Sequence, residues 1–265
     1  MFPIKDNIPA ERFPLVTVVL ILVNCIVYFF LQHKSGIDFS GNSLDQSSLA
    51  HYSAIPYEIT HWGKHCDFDP GSGQVACQGQ SGTSGAPAPQ LGTLATVFTA
   101  MFSHSGLLHL GGNMLFLWIF GNNVEDSMGK VKFVLFYLLG GIAALALQVV
   151  IDPNSTAPTL GASGAIAAVL GGYILLYPRA RVLTVVFIIL FFTIIEVPAL
   201  VVLGIWIVEQ ILFGAWGLTD PTGSGGGVAY FAHIGGFAFG LLAIKLFAHR
   251  ENPAYLRGGP PALVS

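Results

Sequence analysis

Long apolar runs separated by short polar connections dominate the chain. About 20 consecutive apolar residues let an α-helix cross a bilayer, and several stretches approach that length. In chain order, the predicted spans cover roughly residues 14–31, 107–120, 133–151, 163–177, 198–216 and 228–247. The pattern therefore predicts an all-α membrane protein, a polytopic bundle of six transmembrane helices formed by a single domain over residues 1–265.

Lys and Arg residues predict the orientation of these helices, because both are enriched in cytoplasmic connections. Two of the eleven, Lys34 and Lys64, lie in the long segment 32–106. The others lie before the first span, between the second and third, after the fourth and at the end of the chain: Lys5, Arg12, Lys130, Lys132, Arg179, Arg181, Lys245, Arg250 and Arg257. The connections 152–162 and 217–227 hold neither residue type. Both termini are therefore predicted to be cytoplasmic, with a long outer loop over residues 32–106.

Residues 182–197 are apolar enough to resemble a further span. They connect a cytoplasmic end to the outer connection 217–227, so the chain between those points must cross the membrane an odd number of times. We predict one crossing from Pro198 onward, preceded by an interfacial or re-entrant segment. The first run, 14–31, exceeds the usual apolar length of a signal peptide, so we expect it to be retained.

The composition agrees with this class of protein. Hydrophobic residues make up 53% of the chain and charged residues 9%, whereas soluble domains carry about 25% charged residues. The formal charge of -3 comes with no basic stripe, so we expect no nucleic-acid partner. The expected surroundings are the lipid bilayer.

Ser163 begins an apolar run directly after the glycine-containing segment 161–162. At a helix N-terminus its N–H group lacks an intrahelical partner, and the positive end of the helix dipole favours a developing oxyanion. Gly161 and Gly164 lack Cβ atoms and allow close approach of neighbouring backbone. An N-capping serine in a tight helix contact is the simpler alternative.

His233 lies inside the last apolar run, where an ionisable side chain suggests function. It shares a helical face with Gly236 and Gly240, and small residues four apart let membrane helices pack closely. We therefore predict that His233 approaches Ser163 and that the pair forms a nucleophile and its base. A histidine that only packs and donates a hydrogen bond is the alternative.

His109 and Asn113 lie four residues apart, on one face of the second predicted helix. Both side chains can donate hydrogen bonds to an oxyanion. In the six-span arrangement they lie in the outer half of the membrane, as do Ser163 and His233. The alternative is a polar clamp between two helices.

Cys66 and Cys77 lie in the predicted outer loop, where an oxidising compartment favours a disulfide between them. A zinc site that also uses His61 and His65 is the alternative. We otherwise expect no metal and no cofactor.

Together these motifs resemble those of the rhomboid intramembrane serine proteases. The matching segments are His109-x-x-x-Asn113, Gly161-x-Ser163-Gly164 and Ala232-His233-x-x-Gly236-x-x-x-Gly240. The resemblance implies Ser163 as nucleophile, His233 as base, and an oxyanion hole formed by His109, Asn113 and the Ser163 N–H group. It also implies single-pass transmembrane proteins as substrates, cleaved near the outer membrane face.

The chain departs from the family pattern at two places. Ala95-Thr96 occupies the position of a common Trp-Arg pair, and Ala167 replaces a tyrosine that stacks on the catalytic histidine. Glu196 and Glu209 keep a proton-coupled transporter as an alternative, and a non-catalytic scaffold that binds membrane helices is another. We expect a multi-pass protein of a bacterial plasma membrane, with an oligomeric state that the sequence does not define.

Overall fold

The computed structural model describes residues 2–32, 46–69, 71, 73–79, 92–188, 191–219, 228–250 and 255. The helices are α1 (Leu15–Ile26), α2 (Gln46–Tyr52), α3 (Pro56–Thr60), α4 (Thr93–Thr99), α5 (Leu107–Phe116), α6 (Asn122–Met128), α7 (Lys130–Ile151), α8 (Ser163–Leu176), α9 (Ala199–Thr219) and α10 (Tyr230–Phe247). The strands are β1 (Phe2–Asp6), β2 (Cys66–Asp69), β3 (Gln74–Cys77), β4 (Arg181–Ile188) and β5 (Phe191–Pro198). Parts of the predicted outer loop, 33–45 and 80–91, and most of the connection 217–227 lie outside the described residues.

Helix α8 is the centre of the bundle, since residues 165–173 are all buried. It packs mainly against α10 and α7. Glycines permit this packing, because a Cβ atom on Gly236 would clash with the carbonyl oxygen of Gly164, and one on Gly240 with that of Ala168. The His233 face of α10 is therefore the face that lies directly against α8. Gly164 itself faces α7, where an added Cβ would lie 2.7 Å from that of Ala144.

Among the described residues, three helical stretches are long and apolar enough to cross a membrane: Lys130–Ile151, Ala199–Leu218 and Tyr230–Phe247. Leu15–Leu31 and Ser163–Leu176 are apolar but shorter. The second predicted span extends beyond residue 120, because α5 passes through a π-helical segment, Leu117–Gly121, directly into α6. The six-span count stays a prediction.

The prediction of an all-α fold is wrong in one respect, although helices predominate. Residues predicted as an interfacial or re-entrant segment form the hairpin β4–β5, and β1 pairs antiparallel with β4. The hairpin is rich in Val, Ile, Phe and Thr, which favour strands. This apolar run resembles a transmembrane helix in the sequence, because a continuous apolar run does not distinguish strand from helix.

The segment before α4 contains a second hairpin, β2–β3, in which Cys66 and Cys77 are directly opposite and form a disulfide. Both thiols are therefore unavailable to the alternative zinc site. The same segment contacts the connection before α8, because Ala54 and Thr159 exchange two backbone hydrogen bonds of 2.9 Å. This contact helps to fix the chain that leads to Ser163.

Candidate active site

Ser163 is the first residue of α8. The residue before the helix proper is Ala162, and no side chain caps the helix, so Ser163 does not have the N-capping role considered above. The Gly161 N–H group donates to the Ala100 carbonyl oxygen at 2.8 Å. Gly161 has φ of +117°, which other residues rarely adopt. This glycine lets the chain turn so that Ser163 enters the helix facing the bundle interior.

The Ser163 hydroxyl contacts the ring of His233 from the neighbouring helix. The distance between Ser163 Oγ and His233 Nε2 is 2.8 Å. Both side chains are partly buried, and the close packing of α8 on α10 determines their separation. The geometry permits proton transfer from the hydroxyl to the imidazole.

His109 and Asn113 face the same site from α5. An added Cβ on Gly161 would lie 2.8 Å from His109 Nε2 and 3.6 Å from Asn113 Nδ2. The Ser105 hydroxyl lies 3.0 Å from His109 Nδ1, which leaves His109 Nε2 directed toward Gly161. A small residue at position 161 therefore keeps open the space beside two potential hydrogen-bond donors.

Asn113 is 8% exposed, yet its Nδ2 atom has no hydrogen-bond partner within the described part of the chain. Buried polar atoms are nearly always paired, so this donor needs an explanation. A polar clamp between helices would require a partner on the next helix. The unpaired donor can instead bind a polar group that enters the site.

A cavity of about 470 Å³ joins these residues. Its walls are largely apolar and come from the segment before α4, several helices and the connection before α8: Ala54, Met101, Phe116, Leu145, Leu160 and Trp206. Ser163, His233, His109 and Asn113 also line it. His104 packs against His109, with 5.1 Å between ring centroids. Burial lowers the pKa of His104 to about 3, so a neutral ring lies beside His109.

Three contacting residues were missed by the sequence reasoning. Gln210 Oε1 lies 2.7 Å from His233 Nδ1, the Trp206 ring lies 5.6 Å from the His233 ring, and Ser105 contacts His109. Gln210 could have been predicted from the sequence to face the bundle interior, since a polar residue inside an apolar run usually does so. The neighbouring Glu209, which the transporter alternative used, is exposed.

Comparison with known proteins identifies the family. The Rhomboid domain matches residues 91–250, which is more than half of the chain and includes all the residues of the cavity named above except Ala54. The chain belongs to the rhomboid family. The resemblance predicted from the three motifs is thereby confirmed.

The rhomboid relatives include proteins from yeast, a plant and human. Rhomboid protein 1, mitochondrial, of Saccharomyces cerevisiae is 32% identical over 151 residues, which are 56% of this chain and 40% of the relative. RHOMBOID-like protein 12, mitochondrial, of Arabidopsis thaliana is 31% identical over 170 residues, 57% of this chain and 46% of the relative. The human presenilin-associated rhomboid-like protein, mitochondrial, is 30% identical over 142 residues, 53% of this chain and 34% of the relative.

This rhomboid chain thus matches less than half the length of each of these relatives. Their names place them in mitochondria, so they give no support to the expected bacterial plasma membrane. Membership of this membrane-embedded family does agree with the apolar helices.

The departures from the rhomboid pattern have visible consequences here. Ala167 is fully buried, and its Cβ would lie 3.2 Å from one added to Gly236. The small side chain of Ala167 therefore permits α8 to pack closely on α10. Trp206, from α9, occupies the space beside the His233 ring. At the other departure, Thr96 is buried in α4, where its hydroxyl donates to the Thr93 carbonyl oxygen at 2.8 Å.

Proposed function

We propose that this protein is an intramembrane serine endopeptidase that cleaves transmembrane proteins with a Ser163–His233 dyad. The single observation that carries the proposal is the 2.8 Å contact between Ser163 Oγ and His233 Nε2, next to the unpaired donor of Asn113. Rhomboid membership supports the same reaction. We expect no metal or cofactor to take part.

In the proposed reaction, His233 Nε2 takes the proton of the Ser163 hydroxyl while Oγ attacks the carbonyl carbon of the scissile peptide bond. The carbonyl oxygen becomes an oxyanion, which accepts hydrogen bonds from His109, Asn113 and the Ser163 N–H group. His233 then gives its proton to the leaving amine as the C–N bond breaks. A water molecule, deprotonated by His233, hydrolyses the acyl-enzyme and regenerates Ser163.

The proposed setting is a six-span bundle with both termini in the cytoplasm. Support comes from the distribution of Lys and Arg, and it puts the cavity at the outer face of the membrane. Labelling intact cells with a membrane-impermeant thiol reagent, after reduction of the Cys66–Cys77 disulfide, tests the orientation. Labelling only in inverted vesicles would reverse it.

The substrates that fit this site are single-pass transmembrane proteins. The space beside Ser163 is narrow, because Gly161 and Gly164 are closely surrounded. We expect cleavage after a small residue such as Ala, near the outer end of the substrate span. Gly or Pro nearby would loosen the substrate helix and expose the bond. Replacing the cut-site Ala by Phe should abolish cleavage at that bond, as mapped by mass spectrometry.

The deciding experiment is to reconstitute the purified protein with a panel of single-span substrate proteins, with and without Ser163→Ala. Cleavage by the wild type alone is the expected result. A transporter or a helix-binding scaffold would instead lack cleavage in both samples and keep its transport or binding after the substitution.

A further inference from the structure

Gln210 connects α9 to the candidate catalytic residues. It is 8% exposed, and it lies on the helix that follows the β4–β5 hairpin. Its side-chain amide makes two hydrogen bonds. Nε2 donates to the Trp206 carbonyl oxygen at 3.3 Å, and Oε1 lies 2.7 Å from His233 Nδ1.

These two contacts fix the direction of the hydrogen bonds around the His233 ring. Only the amide NH₂ group can donate to the Trp206 carbonyl oxygen, so Oε1 must be the atom that faces His233. An amide oxygen only accepts, and His233 Nδ1 must therefore carry the proton. In the neutral ring the other nitrogen, Nε2, is then the acceptor for the Ser163 hydroxyl.

The opposite orientation of the Gln210 amide is disfavoured for two reasons. It would direct two oxygen lone pairs at each other, those of Gln210 Oε1 and the Trp206 carbonyl. It would also make Nδ1 an acceptor and move the ring proton to Nε2. His233 could then not take the proton of Ser163.

We infer that Gln210 is a positioning residue that holds His233 in the tautomer able to accept the Ser163 proton. The inference rests on the proposed function, because it gives His233 the part of the base. Gln210 acts through His233 and does not touch the reacting atoms. The Trp206 ring also lies beside the His233 imidazole, tilted by 37° against it.

A neutral amide suits this apolar site. A carboxylate at position 210 would favour the protonated imidazole, so that a smaller share of the protein would hold the free base at acidic pH. Gln210 orients the ring without that penalty, and its oxygen still accepts from Nδ1–H when the imidazolium forms. Since Gln210 and Trp206 both belong to α9, a movement of α9 away from α10 would remove both contacts with His233.

The experiment uses the full-length protein with two substitutions. Gln210→Leu removes both hydrogen bonds at nearly constant volume, and Gln210→Glu keeps an acceptor for Nδ1 while adding charge. The control is Gln148→Leu, because Gln148 Oε1 also accepts one bond from the first turn of α10, from the Ala232 N–H group at 3.3 Å. Readouts are kcat and KM for a single-span substrate protein, and the rate of Ser163 labelling by a fluorophosphonate between pH 5 and 9.

We expect Gln210→Leu to lower kcat by about 10- to 100-fold, since a small misplacement of a catalytic group has an effect of this size. KM should change little, because Gln210 does not line the cavity. Gln210→Glu should move the acidic limb of both pH profiles to higher pH by about one unit, and Gln148→Leu should leave that limb in place. His109 lines the same cavity and is present in all variants, so its titration contributes equally to each profile.

A purely structural role for Gln210 would lower the thermal stability of both variants and leave the pH limb unchanged, and this outcome overturns the inference. Equal kcat for wild type and Gln210→Leu also overturns it, while leaving the dyad intact if Ser163→Ala is inactive. If wild type and Ser163→Ala are equally inactive and unlabelled, the proposed function itself fails. Should Gln210→Leu not fold, ¹⁵N-histidine NMR of the wild type still decides, because a neutral His233 protonated at Nε2 contradicts the assignment.

Discussion

The two ends of helix α8 differ in how their buried hydrogen-bond donors are used. Tyr173, near the end of the helix, donates to Asp6 Oδ2 at 2.6 Å, and Asn123 donates to the same atom at 2.8 Å. At the beginning of the helix, about 15 Å away, Ser163 contacts His233 while the nearby Asn113 keeps an unpaired donor. At the Asp6 end both donors are paired, although Asn123 Oδ1 has no partner among the described residues, whereas at the Ser163 end the donor itself, Asn113 Nδ2, is unpaired.

At the Asp6 end, a second set of hydrogen bonds joins α6 to the start of α1. Glu125 accepts from the Val16 N–H group at 3.0 Å and from the Thr17 N–H and hydroxyl groups at 2.8 Å each. A single side chain thereby satisfies two N–H groups in the first turn of α1, where such groups lack partners within the helix. We therefore expect a division of roles, in which the Asp6–Glu125 end stabilises the fold and the Ser163 end carries out the chemistry. Substitutions at the Asp6–Glu125 end should change stability and leave chemistry intact, and substitutions at the Ser163 end should do the reverse.

The largest expected effect is at the dyad. Ser163→Ala and His233→Ala should each reduce cleavage by roughly 10⁴- to 10⁶-fold, and the double variant should be no worse, because groups that act as a unit are not additive. Thermal unfolding in detergent should be almost unchanged for Ser163→Ala. Near-normal turnover by purified Ser163→Ala would show that the nucleophile lies elsewhere.

Asn113→Ala tests the unpaired donor. We expect its rate to fall by roughly 10- to 1,000-fold, since one of several oxyanion donors is lost. Its free energy of unfolding should not fall by more than about 1 kcal/mol, because no existing hydrogen bond is broken and only a small cavity forms. Normal rate combined with lower stability would make Asn113 a structural residue and remove the contrast between the two ends.

The same contrast explains what the sequence could predict. Ser163, His233, His109 and Asn113 were identified because each is a reactive or polar residue in an apolar run, and helical spacing then oriented them. Gln210 was missed although it satisfies the same criterion. Its contact depends on how α9 turns against α10, and a sequence shows the composition of a helix more readily than its rotation.

The Asp6 end was not predictable in the same way. Its partners Asn123 and Tyr173 lie 117 and 167 residues away in sequence, and no local pattern joins them. The strand structure of the β4–β5 hairpin was not predicted, because a continuous apolar run is compatible with strand and helix alike. The pairing of β4 with β5 and β1, next to which Asn7 exchanges hydrogen bonds with Arg181, depends on residues far apart in sequence.

Glu125→Ala addresses stability at the Asp6 end. Removing this 3% exposed carboxylate leaves the Val16 and Thr17 N–H groups without their acceptor. The free energy of unfolding should fall by about 2–4 kcal/mol, and kcat at a permissive temperature should stay within about twofold of wild type. Glu209→Ala, at an exposed position on α9, is the control and should change stability by less than about 0.5 kcal/mol. A selective loss of kcat without loss of stability would contradict the division of roles.

The smallest expected effect concerns the pH dependence of that end. Burial raises the pKa of Asp6 from 3.8 to about 7, although the hydrogen bonds from Tyr173 and Asn123 oppose the shift. The folded protein then holds this proton more tightly than the unfolded chain. The stability that protonated Asp6 provides is fully present below about pH 4 and is lost as pH rises to about 7. Between pH 6 and 8 the loss should be about 1 kcal/mol.

Asp6→Asn should remove this slope, since the amide does not titrate and can still accept from both donors. Hydrogen exchange of the Asn7 amide, which donates to the Arg181 carbonyl oxygen at 3.0 Å, measures the attachment of β1 directly. Its exchange should quicken from pH 6 to 8 in the wild type by more than the intrinsic pH effect, and should follow the intrinsic effect alone in Asp6→Asn. Equal slopes in the two proteins would mean that Asp6 is already ionised in the folded state, and that its hydrogen bonds from Tyr173 and Asn123 outweigh the cost of burying the charge.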